Sequence, residues 1–85
     1  MANKSKNLTA KIPPQNLEAE KSVLGSLMLD SKAIDIVIDI LRPDDFYQTK
    51  HKIIYEAMVD LYQNKEPIAI LSLSNRLKDK KQLAS

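Results

Sequence analysis

Hydrophobic side chains return along most of this chain at intervals of three or four residues, the spacing of one face of an α-helix. Leu17, Val23, Leu24, Leu27 and Met28 form one broad stripe, with Ala19 and Leu29 at its margins, and predict a helix over 16–29. Asn16 is placed to cap it, because its side-chain oxygen can accept from the free N–H groups of the first turn. Glu18 and Glu20 fall where the positive end of a helix favours anions. Gly25 is the only glycine, and inside a helix it costs about 1 kcal/mol relative to alanine. Close approach of a neighbouring helix would offset that cost, and this reading is preferred to a hinge.

The run from Ile34 to Leu41 is rich in β-branched residues, and its alternation resembles a strand. Val37 breaks the alternation, however, and Lys32, Asp35, Asp39 and Arg42 line up at steps of three, four and three. That single polar stripe predicts a helix, capped by Asp30 or Ser31, ended by Pro43 and nearly enclosed. Asp44-Asp45-Phe46-Tyr47 is too short for a helix of its own and reads as a tight turn, with Phe46 plugging the core.

The strongest periodicity follows. Ile53, Ile54, Ala57, Met58, Leu61 and Tyr62 recur at i, i+1, i+4, i+5, i+8 and i+9, opposite Lys52, Glu56 and Asp60. The pattern predicts a helix from a Thr49 cap to about Asn64. Glu66-Pro67 punctuates the chain, and Leu73 and Leu77, one turn apart, predict a last helix over 70–80. The basic residues near the end suit its negative pole. The fold class is therefore all-α: a small orthogonal bundle of about four helices plus a short turn. Residues 1–11 are polar and aperiodic and read as a disordered basic leader, while Pro13-Pro14 imposes an extended approach to the first helix.

Composition narrows the picture. At 85 residues there is room for one small domain, and a core must come from Leu, Ile, Val and Met because only four residues are aromatic. The absence of cysteine excludes disulfides and thiolate metal sites. No apolar run approaches the roughly 20 residues that span a membrane, and a cytoplasmic protein is expected. The net charge of +2 conceals a division: residues 1–12 carry +3, residues 13–75 carry six bases against ten acids, and residues 76–85 carry +3. An acidic folded middle with basic ends is not the one-faced basic patch of a nucleic-acid-binding domain.

Little here can perform chemistry. One glycine cannot build a phosphate-cradling loop. His51, the only histidine, lacks the partners of a triad or the spacing of a metal site, and reads as a solvated or capping side chain. Asp44 and Asp45 are adjacent in a turn and diverge; Asp35 and Asp39 read as a solvated face or as ion-pair partners of Lys32 and Arg42. Tyr47, Tyr55 and Tyr62 invite a base-stacking reading, but packing with hydroxyls at the core's rim explains Tyr55 and Tyr62 more simply. No catalytic, cofactor or metal residue is assigned, and no interface residue is singled out.

Two stretches carry a family likeness. Ile12-Pro13-Pro14-Gln15-Asn16-Leu17-Glu18-Ala19-Glu20 runs on to Ser22-Val23-Leu24-Gly25 and Asp30. Arg42-Pro43-Asp44-Asp45-Phe46-Tyr47 runs on to His51, Tyr55-Glu56-Ala57-Met58 and the turn Glu66-Pro67-Ile68. In order and spacing they resemble the N-terminal domain of DnaB-type bacterial replicative DNA helicases, across residues 12 to about 83. The resemblance implies the globular head of that domain over 12–85, with a helical hairpin, a linker helix and a RecA-like ATPase domain following in the family.

It further implies a hexameric, ATP-driven helicase in the intact protein, with ATP and Mg2+ needed only by the later domain. Implied partners are other helicase subunits, a DnaG-type primase, sometimes a helicase loader, and DNA through the later domain, but no membrane. The implied location is the bacterial cytoplasm, at the nucleoid during replication. The head itself is expected to be non-catalytic, serving ring assembly and docking, and monomeric or weakly associating by itself. Small helical nucleic-acid binding through the basic ends, or an unrelated helical interaction module, are the alternatives. Two positions depart from the family's habit. Lys65 stands where glycine commonly closes the third helix, so Asn64 is expected to take the left-handed role. Ala69 stands where an acid often caps the fourth, so Ser72 is expected to substitute.

Overall fold

Asn16 opens helix α1 (Leu17–Leu29) by accepting the Ala19 N–H at 3.0 Å, as the sequence predicts. The computed structural model describes residues 16–84, with side chains described as far as Lys80. The leader over 1–11 and the Pro13-Pro14 approach lie outside the described residues. After α1 come a 3-10 turn at Ser31–Ala33, the short helix α2 (Ile34–Val37), a second 3-10 turn at Pro43–Asp45, α3 (Thr49–Gln63) and α4 (Ile70–Ala84). These are four helices, and no strand occurs among the described residues.

The core gathers Leu24 and Leu27 from α1, Ile34 from α2, then Leu41 and Phe46. Tyr55, Ala57, Met58 and Leu61 join from α3, and Leu73 from α4. Phe46 is fully covered, so the tight turn does plug the core. On α3 the buried set is His51, Tyr55, Ala57, Met58 and Leu61. The inward face is therefore rotated from the predicted one: Tyr55 lies at its centre, while Ile53 is exposed and Ile54 half-buried.

The region of α2 departs furthest from expectation. Only four residues are α-helical, and Ile36 and Ile40 are 67% and 47% exposed, so the segment is not nearly enclosed. Tighter turns flank it, including an Asp39 N–H to Ile36 carbonyl bond one residue short of the helical reach. Those turns rotate successive side chains out of the 3.6-residue register, and crowded β-branched residues resist its restoration. Asp30 occupies the cap position without a side-chain bond.

The ends of α3 and α4 correct two smaller expectations. Lys65 itself, at φ 59°, takes the left-handed conformation, while Asn64 stays at φ −90°. The Lys65 N–H reaches the Tyr62 carbonyl and the Glu66 N–H the Leu61 carbonyl, the bond pair of a Schellman closure. At α4 the Ser72 hydroxyl accepts the Ala69 N–H at 3.1 Å and donates to the Pro67 carbonyl, bonds that tie the approach to the helix and differ from the first-turn cap expected of it. Gly25 is exposed, and a β-carbon there would meet nothing within 4 Å among the described residues, so no close helix approach accounts for it. Nor does Thr49 cap α3: it is the first helical residue, and Gln48 at the cap position offers no side-chain bond.

Candidate functional site

The backbone just before α3 is held from α1. Along α1, Leu17, Glu20, Leu24 and Leu27 recur at steps of three, four and three, so Glu20 stands within the inward stripe. The Pro43–Asp45 turn and buried Phe46 bring the chain back past that point, with Phe46 and Gln48 extended and the N–H groups of Tyr47 and Gln48 without a backbone acceptor. Glu20 accepts both. Its Oε2 takes the Tyr47 N–H at 2.5 Å, and its Oε1 takes the Gln48 N–H at 3.3 Å. The same Oε1 lies 2.7 Å from Nδ1 of His51, in the first turn of α3. Glu20 is fully buried and His51 is 4% exposed.

One carboxylate therefore ties three pieces of chain together and places its charge at the positive end of α3. Burial by itself pushes the Glu20 carboxyl up, but the bonds from His51, Tyr47 and Gln48 outweigh it and hold the group below the usual carboxylate range. Bonded to three donors and closed to solvent, Glu20 serves to position the chain around it.

Aromatic packing completes this junction. The Phe46 ring meets His51 edge-on at 6.4 Å and lies 5.2 Å from Tyr55. The Tyr55 hydroxyl donates to the Leu41 carbonyl at 2.7 Å. Burial, with the nearby charge of Asp45, pushes that hydroxyl up to about 12.

His51 is thus neither solvated nor a helix cap, which corrects the sequence expectation: its ring is enclosed because Glu20 gives it a partner. Asp45 accepts the Arg42 N–H at 2.8 Å, ordinary turn chemistry, while Asp44 faces solvent. Asp35 and Asp39 are exposed, the solvated face that is one of their two readings, and Asp35 also accepts a hydrogen bond from the Tyr62 hydroxyl. That bond, together with desolvation and the charges of Asp35 and Asp39, raises the Tyr62 hydroxyl. Tyr55 is central, not peripheral; Tyr47 is 56% exposed.

Sequence reasoning missed the Glu20–His51 pair, although a signal was there: both polar residues interrupt inward stripes, Glu20 beside Leu17 and Leu24, His51 beside Tyr55 and Met58. Among the described residues, no three His, Asp or Glu side chains gather as a metal set, and no helix is long and apolar enough to cross a membrane. The outward surface instead shows large apolar side chains: Leu29 ending α1, Ile36 and Ile40 in and after α2, and Ile70 with Leu71 opening α4.

Comparison with known proteins gives a consistent result. The profile of the family described as "DnaB-like helicase N terminal domain" matches residues 12–85. The replicative DNA helicase DnaB of Synechocystis is 44% identical over 68 residues, 80% of this chain and 8% of that protein. The replicative DNA helicase DnaC of Bacillus subtilis is 40% identical over 70 residues, 82% of this chain and 15% of that protein. The crystal structure of the N-terminal domain of DnaB helicase from Mycobacterium tuberculosis superposes with a TM-score of 0.75 at 41% identity. That superposition covers 82% of this chain and 49% of the crystallised one. The chain thus spans only about a twelfth to a seventh of the length of these two helicases.

Proposed function

The chain belongs to the DnaB-like helicase N-terminal domain family, and from that premise we propose that it serves a replicative helicase as a non-catalytic head. In this reading it helps assemble and regulate a hexameric ring and docks a DnaG-type primase or a helicase loader. ATP, Mg2+ and the DNA strand belong to a later ATPase domain, and the protein works in the bacterial cytoplasm. The observation that carries the reading is the contrast between inside and outside. The buried polar groups are spent on holding the fold, whereas Leu29, Ile36, Ile40, Ile70 and Leu71 face outward, ready to be covered by other protein.

The experiment pairs this chain with the full-length helicase from the same source. ATP hydrolysis and strand unwinding are expected from the full-length protein alone; turnover by the 85-residue chain would refute the non-catalytic reading. In the full-length protein, Ile36→Ser with Ile40→Ser is expected to weaken hexamer formation or primase binding while leaving the domain folded. Steeply salt-dependent DNA binding by the isolated chain would favour its basic ends as the functional element instead.

A further inference from the structure

The Tyr47 and Gln48 backbone is held differently from the rest of the fold. Its two N–H groups lie outside any helix ladder, and Glu20 is their acceptor. The Tyr47 side chain projects outward, so side-chain burial adds little to hold that residue. We propose that the Glu20 carboxylate is a proton-operated latch: ionised, it clamps the Tyr47–Gln48 backbone against α1; protonated, it lets that backbone open while the apolar core stays closed.

The latch follows from the balance of donors and acceptors around the carboxylate. Two carboxylate oxygens face three donors, the N–H groups of Tyr47 and Gln48 and Nδ1 of His51. An ionised carboxylate is acceptor only; a proton on it adds a fourth donor to a site already full of them. Neither backbone N–H can give up its proton to relieve the clash. Few other charges intervene. From α3 the facing group is His51; on α1, Glu18 pairs with Lys21 at 3.8 Å on the solvent side. From the turn, Asp45 is engaged by the Arg42 N–H, and Asp44 is exposed. Meanwhile the contacts of Leu24, Leu27, Met58 and Leu61 are apolar and indifferent to the proton.

Amide hydrogen exchange by NMR on this chain, from pH 7 to pH 3, tests the latch, with each rate taken relative to an unstructured peptide at the same pH. Protection at Tyr47 and Gln48 is expected to fall about tenfold or more, as for loss of a hydrogen bond to a charged group. The fall should track the Glu20 carboxyl-carbon resonance, while the Leu27, Met58 and Leu61 amides keep their protection. Glu20→Gln should show low protection at Tyr47 and Gln48 at every pH, with no step. The latch is overturned if all five amides lose protection together, if Tyr47 and Gln48 ignore the carboxyl titration, or if the step survives in Glu20→Gln. Should that variant fail to fold, the wild-type titration decides alone.

Discussion

The two flanks of α3 use similar chemistry to opposite effect. Towards α1, Glu20 meets two backbone N–H groups and His51 where water is excluded. Towards α4, Asp60 pairs with Lys80 at 2.7 Å and Arg76 with Glu66 at 2.6 Å, but these side chains remain 22–45% exposed. Solvent screens the second pair of contacts and can replace either partner, so they trim the seam that Leu73 and Leu77 hold by burial. Water replaces the first poorly, because removing Glu20 would leave the enclosed His51 ring and two part-buried backbone N–H groups without their acceptor. Burial, far more than the presence of opposite charge, decides which contact specifies the fold.

The largest expected effect follows from that asymmetry. Glu20→Ala should cost about 3 kcal/mol or more, read from urea unfolding, because the Tyr47, Gln48 and His51 donors lose their acceptor. Acid acts on the same group. Since the folded carboxyl sits below its ordinary value, its contribution is complete above the ordinary carboxylate pKa and is lost as pH falls through the folded one. Wild type should therefore lose more stability than Glu20→Gln between pH 6 and pH 3, measured by urea midpoints at each pH. Tyr55→Phe removes one buried bond to the Leu41 carbonyl and should cost about 1 kcal/mol. Lys80→Ala, on the exposed flank, should cost under about 1 kcal/mol and lose most of that effect in molar salt.

Much of this architecture was legible in the sequence because it rests on local rules. The Asn16 cap and the spans of α1 and α3 depend on residues within one or two turns of each other. The Glu20 contacts span 27 to 31 residues, and the rule that sets Glu20 at the positive end of α1 says nothing of them. The same long-range bonds explain why His51 is enclosed. The α2 region failed for another reason: its polar stripe assumed an unbroken 3.6-residue period, which two adjoining turns interrupt. Lys65 shows a preference overridden by context, since the closing bonds from Lys65 and Glu66 fix the left-handed residue wherever they fall.

The most direct test sets two double-mutant cycles side by side in urea unfolding at neutral pH. One couples Glu20→Gln with His51→Gln, and the other couples Asp60→Asn with Lys80→Gln. The Glu20–His51 cycle should give a coupling of more than about 1 kcal/mol, and the Asp60–Lys80 cycle less than about 0.5 kcal/mol. Equal couplings, or a larger one on the exposed flank, would contradict the claim that the buried carboxylate organises this domain.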